Sequence, residues 1–167
     1  LYRYKYLLEH GIKVEILTDV IYYFDIDMKV LEQINQEVLP TCDKPLVGTM
    51  HPGFAYVENK NGPNNEVSPL STAYISPDKY NNKYIAGGFN GGLTSEFVNM
   101  SKKLDRNINI DKNKDIMARW HDESHLNKFM NINEDKFKFL NTDYCYPENF
   151  YMDIPGKPKI LALDKKH

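Results

Sequence analysis

Two aspartates separated by one residue, Asp25-Ile26-Asp27, follow directly on an apolar run in a chain of 167 residues. In an extended segment residues two apart point the same way, so both carboxylates can face one ion. Hard divalent cations such as Mg²⁺ or Mn²⁺ take oxygen ligands and share them with a substrate diphosphate. Taken alone, the pair is more simply read as two solvated carboxylates at a strand end. The densest polar cluster is Trp120-His121-Asp122-Glu123-Ser124-His125. His121 and His125 lie four apart, and on a helix they would share a face able to chelate zinc. A zinc-protease helix carries Glu directly after its first His, however, and here Asp122 holds that place. The plainer reading is a capped helix start with exposed charge and a half-buried Trp.

Three further segments carry possible chemistry. Gly87-Gly88-Phe89-Asn90-Gly91-Gly92 has GGxxGG spacing, which is not the GxGxxG of a dinucleotide site. Its glycines suit either a tight turn after a strand or a ligand lying against bare backbone. His51-Pro52-Gly53-Phe54 sets an imidazole beside an aromatic ring that could stack on a sugar. Residues 156–167 hold Lys157, Lys159, Lys165 and Lys166 against Asp164 alone, a solvated tail or a basic segment that closes over a diphosphate.

These residues need a scaffold. The length is that of one domain, residues 1–167, and 41% apolar with 26% charged residues is a globular balance. A net charge of -2 argues against a surface built for nucleic acid. No apolar run reaches the roughly 18 residues of a membrane span. Two cysteines, Cys42 and Cys145, exclude a disulfide-rich scaffold and a four-cysteine zinc site, and both are expected as buried thiols. Periodicity predicts a helix over 2–10, a strand buried on both faces over Asp19–Phe24, and a short helix with Leu31, Ile34 and Val38. Further strands are expected at Pro45–Met50, Tyr74-Ile75, Tyr84–Ala86, Lys136–Leu140 and Lys159–Leu163. Helices are expected around Leu93–Leu104 and Leu126–Met130, the latter with Asp122 as N-cap. Residues 58–70, rich in Asn, Gly and Pro, form a surface loop or flap. The class is mixed α/β with acidic and glycine-rich segments at strand ends, where open α/β sheets bind ligands.

In order along the chain, DIDM, GTMHPGF, AYI, GGFNGG and RWHDESHLNKF resemble glycosyltransferase family six, which includes the histo-blood-group A and B transferases and the α-1,3-galactosyltransferases. The resemblance runs from about Tyr22 to His167. It implies a GT-A fold, a mixed sheet flanked by helices, and transfer of galactose or N-acetylgalactosamine from a UDP-sugar with retention, forming an α-1,3 bond. Matched position by position, Asp25 and Asp27 would bind Mn²⁺ and the UDP diphosphate, and Asp122 would hold donor-sugar hydroxyls. Glu123 would be the nucleophile or same-face stabiliser. Ala86, Gly87 and Gly88 would set donor choice, with His121 and the tail residue Lys165 also on the donor side. His51 and Trp120 would contact the acceptor, a galactose-terminated glycan with or without a fucose branch.

Gly88 lacks a methyl and leaves room for an acetamido group, and Gly53 matches the A-type enzyme, so UDP-N-acetylgalactosamine is the expected donor. Retention of both aspartates, where many bacterial members carry NxN, implies metal dependence. Tyr146-Pro147-Glu148 stands where the family has a Trp-Asp pair near the acceptor. The family's N-terminal strands are expected to be missing, which gives a second reading: a carbohydrate-binding remnant that does not transfer. A zinc hydrolase using His121 and His125 is the third. The chain has 18 Lys against 3 Arg and much Asn. That composition suggests an AT-rich microbial genome and a cytoplasmic enzyme; vertebrate members face the Golgi lumen.

Overall fold

The computed structural model describes residues 5, 8–9, 18–55, 64–149 and 154–164. Strands β1 (Val20–Phe24), β3 (Leu46–Met50), β4 (Ile85–Leu93) and β5 (Phe137–Leu140) form one sheet in the order β1-β4-β3-β5. Its β3–β5 pair is parallel, and β4 runs antiparallel to both β1 and β3. Strands β2 (Met28–Val30), β6 (Tyr146–Pro147) and β7 (Ile160–Ala162) form a second mixed sheet, ordered β2-β7-β6. Two helices, α1 (Thr94–Lys112) and α2 (His121–Ile132), complete the elements that position the site. The mixed α/β class is as the sequence indicates.

Neighbours on one strand point to opposite faces. Leu46 and Ile85 join α1 and α2 in a core with Phe97, Met100, Leu104, Leu126 and Met130. Their chain neighbours Val47 and Ala86 join Met28, Phe89, Tyr144, Cys145 and Ile160 on the other side. The centre of the large sheet is therefore buried on both faces. Strand β1 lies at its edge instead; Val20–Tyr23 are half-buried and Phe24 is exposed, so the expectation of burial on both faces is corrected by position. On α1 the residues at helical spacing, Phe97, Met100, Leu104 and Ile108, are all buried.

Other expectations also change. The glycine cluster is not a turn after a short strand but the body of β4. Its pairing with β3 jumps between Gly48↔Asn90 and Thr49↔Ala86, so Gly87–Phe89 bulge out of that ladder while Phe89 still faces Phe24 of β1. Leu31–Val38 makes only a 3-10 turn at Gln36–Val38. Tyr74-Ile75 is irregular rather than a strand. Residues 58–63 of the expected flap lie outside the described residues; beyond them Asn65 and Glu66 are buried, and Glu66 accepts from the Arg119 amide at 2.6 Å. Cys145 is buried but Cys42 is exposed, and neither forms a disulfide. Of the helix expected over 2–10, Lys5, Leu8 and Glu9 are described and helical. Among the described residues no helix is long and apolar enough to cross a membrane.

Gly92 shows why β4 needs glycine. Its φ is +152°, and a Cβ there would sit 2.3 Å from the Pro45 carbonyl oxygen and 2.9 Å from Leu46 Cα. Gly92→Ala is expected to cost about 1–3 kcal/mol from the backbone conformation alone, with the steric contact adding to it. Urea unfolding reads this, and an unchanged midpoint would contradict the close approach.

Candidate active site

The acidic pair sits where β1 leaves the large sheet. Its backbone is a turn rather than the extended segment expected, because the Met28 amide donates to the Asp25 carbonyl at 3.2 Å. Ile26, between them, is fully exposed, while Asp25 and Asp27 are half-buried. Tyr23 donates its hydroxyl to Asp25 Oδ1, the Asp25 amide donates to the Gly88 carbonyl at 2.9 Å, and the Leu163 amide donates to the Asp27 carbonyl at 2.8 Å. The turn is thereby fixed to the β4 bulge on one side and to the segment after β7 on the other. A Cβ on Gly88 would approach Asp25 Oδ2 at 3.2 Å and Met28 Sδ at 3.1 Å, so Gly88 lies directly against the Asp25 carboxylate.

Among the described residues no group of three or more His, Cys, Asp or Glu side chains converges as a metal site. The two carboxylates suit a hard cation that completes its shell with phosphate oxygens and water, which is how Mg²⁺ and similar ions are commonly held. The donor set therefore fits the implied Mn²⁺.

Helix α2 brings the second acidic pair. Trp120 occupies the N-cap position and its amide donates to Ser124 Oγ at 2.9 Å. Asp122 and Glu123 stand in the first turn, where exposed amides favour carboxylates, so Asp122 is inside the helix and not its cap. Glu123 reaches the bulge directly: Oε2 accepts from the Gly87 amide at 2.7 Å and Oε1 from the Tyr84 hydroxyl at 2.9 Å. One turn on, Asn127 Oδ1 accepts from the Ile85 amide at 2.8 Å, and its Nδ2 donates to the carbonyls of Ile85 and Glu123 at 2.9 and 3.0 Å.

Burial pushes the Cys145 thiol up to about 12, and Glu123, Asp25 and Asp27 add to the effect. Ala86 is buried in the core beside it.

His51 follows β3, and its ring packs on Phe54 and Tyr84 with centroids 4.8 and 5.6 Å away. Phe54 and Tyr84 are themselves 4.9 Å apart. His51 Nδ1 accepts from the Gly53 amide at 3.0 Å, and the His51 amide donates to the Tyr84 carbonyl at 2.9 Å. An aromatic surface therefore adjoins the residue that holds Glu123. Trp120, three residues before Glu123, is 45% exposed, with the Arg119 guanidinium 5.9 Å from its ring.

Other expected residues lie elsewhere. His121 and His125 do share a face, lining a cavity of about 380 Å³ with Ile108, Ile116, Met117 and Ala118. Asp25, Gly88 and Glu123 do not line it. His121 is exposed with φ +50°, whereas His125 is buried with Nε2 3.7 Å from Asp111 Oδ2. Burial lowers the His125 pKa, opposed by Asp111, Asp122 and Glu66. Ser71 Oγ and the Thr72 amide also donate to Asp111, so His125 belongs to a buried structural network. Lys159 is engaged by Glu37 at 2.8 Å and by the Tyr144 hydroxyl at 3.1 Å, while Lys157 is exposed. Lys165 and Lys166 lie outside the described residues. Tyr84, Asn127 and Cys145 join the site without having been expected there. The signal for Asn127 was present, since it stands four residues after Glu123 and so on the same helix face.

Burial lowers the His51 imidazole from about 6.5 to about 4. The unfolded chain therefore binds this proton more readily. His51 contributes stability that is fully present above about pH 6.5 and is lost as the pH falls toward 4. Urea unfolding across that range should show the loss, and His51→Gln should remove its share. NMR titration of the His51 ring near 6.5 would contradict the burial.

Residues 1–165 match the sequence model of glycosyltransferase family 6. The chain is similar to the histo-blood group ABO system transferase 1 of Rattus norvegicus, 34% identical over 86% of this chain and 40% of that protein. It is similar to globoside alpha-1,3-N-acetylgalactosaminyltransferase 1 of Gallus gallus, 32% identical over 87% of this chain and 39% of that protein. It is also similar to the O-antigen biosynthesis glycosyltransferase WbnI of Escherichia coli, 27% identical over 99% of this chain and 67% of that protein. The chain spans about two-fifths of the length of the vertebrate relatives. With the match running over nearly its whole length, the chain belongs to glycosyltransferase family 6.

Proposed function

We propose that the chain forms the catalytic centre of a retaining glycosyltransferase that moves N-acetylgalactosamine or galactose from a UDP-sugar to the 3-OH of a β-galactoside through an α-1,3 bond. The observation that carries this reading is the 2.7 Å bond between Glu123 and the Gly87 amide, next to the glycine that borders Asp25. A carboxylate and an acidic turn thus meet across one strand bulge, as separation of a sugar from a diphosphate requires.

Transfer breaks the bond from sugar C1 to the diphosphate oxygen, which leaves with the bonding electrons, and forms one from C1 to the acceptor oxygen, whose proton passes to the departing diphosphate. Asp25 and Asp27 would hold Mn²⁺, which supplies Lewis-acid stabilisation of the departing charge. Glu123 faces the positive charge that grows at the sugar, as a nucleophile or as a same-face electrostatic partner. Asp122 binds donor hydroxyls, and the rings of His51 and Phe54, backed by the buried ring of Tyr84, receive the apolar face of the acceptor. Lys165 closes on the diphosphate, and Trp120 contributes to the acceptor side.

The bare Gly88 favours UDP-N-acetylgalactosamine, and the name of the globoside alpha-1,3-N-acetylgalactosaminyltransferase relative supports that sugar. The lysine-rich composition and the similarity to WbnI favour a bacterial cytoplasmic enzyme acting on surface or lipid-linked glycans.

Glu123→Gln is expected to lower transfer by about 100-fold or more with the fold intact, as removal of one stabilising group commonly does. EDTA should abolish activity and Mn²⁺ restore it. Full activity in either experiment contradicts the assigned role. A non-transferring remnant would instead show little affinity in a titration of UDP with Mn²⁺. In competition between the two donors, preference for UDP-galactose would refute the donor assignment.

A further inference from the structure

Tyr84 is almost wholly buried, at 1% exposure, yet it carries a polar atom. Buried hydroxyls need partners, and the Tyr84 hydroxyl has Glu123 Oε1 at 2.9 Å. The rest of the side chain has a different use, since its ring packs on His51 and Phe54. Phenylalanine would satisfy that packing equally well. The hydroxyl is needed for the carboxylate.

Glu123 has one oxygen on a rigid backbone donor, the Gly87 amide, and the other on Tyr84. A single anchor leaves a carboxylate free to swing about it. Two anchors in different directions fix its plane, and charge-assisted bonds of this kind are the strong ones. Burial, with Glu123 adding to it, pushes the Tyr84 hydroxyl well above its usual range, so it remains a donor at any working pH.

We infer that Tyr84 is a positioning residue, whose hydroxyl orients Glu123 for the reaction while its ring supports the acceptor-side aromatic surface. This inference rests on the transferase reading of the same site.

Tyr84→Phe tests it in the full chain with UDP-sugar, Mn²⁺ and a β-galactoside. Loss of one hydrogen bond to a charged group predicts a fall in kcat of about ten-fold or more. KM for donor and acceptor should stay within about two-fold, because the ring remains. Tyr84→Leu should raise acceptor KM as well. In a Glu123→Gln background, Tyr84→Phe should cost little more, since the hydroxyl acts only through that carboxylate. Independently of activity, hydrogen exchange should show the Gly87 amide about ten-fold less protected in Tyr84→Phe, with the Ile85 amide on Asn127 unchanged. Additive losses, or unchanged Gly87 protection, would overturn the inference. If the wild-type chain transfers no sugar, the transferase reading falls, and the Gly87 exchange result decides the positioning claim by itself.

Discussion

Helix α2 is pinned to strand β4 by side chains that bond to the strand's backbone, and the geometry of the site depends on that attachment. Glu123 takes the Gly87 amide, and Asn127 takes both the amide and the carbonyl of Ile85. A bulge leaves backbone groups without their ladder partners, and buried groups of that kind are costly unless satisfied. Here the residue that satisfies one of them, Glu123 on the Gly87 amide, comes from α2. The irregular stretch of sheet and the placement of the carboxylate are thus one arrangement.

The same strand connects the other parts. Through β1 it fixes the acidic turn, with the Gly88 carbonyl accepting from the Asp25 amide. Through β3 it fixes His51, whose amide donates to Tyr84. The far side of α2 is held by the buried set of Asp111, His125, Ser71 and Thr72, and by Glu66, which accepts from the Arg119 amide just before the helix. Acidic groups on that side stabilise loop and helix, whereas Glu123 holds the bulge.

Much of this was legible in the chain, and the exceptions have physical causes. Buried strands such as Leu46–Met50 and the apolar face of α1 follow from periodicity. The composition of Gly87–Gly92 signals a turn, yet tertiary packing makes it a strand, because Gly91 and Gly92 lie against the backbones of Ile21 and Pro45 with no room for a side chain. Local preference also fails for Asp122, whose type suits a cap but whose side chain is buried inside the first turn. Leu31–Val38 shows apolar spacing over too few residues for a helix, and a single turn suffices to bury Val38. The acidic pair, Glu123 and His51 stood out by type and motif. Tyr84 did not, because a tyrosine opening a strand looks like core until its hydroxyl is traced to a carboxylate.

Gly88 borders both the acidic turn and the bulge that Glu123 grips. A methyl group at this position would press on Asp25 Oδ2 and on Met28 Sδ at little more than 3 Å. Enlarging the residue therefore does more than narrow a recess, since it displaces an oxygen of the aspartate pair. The residue at position 88 and the placing of the Asp25 carboxylate are coupled through one missing side chain, so a lineage that enlarged the first would have to readjust the second.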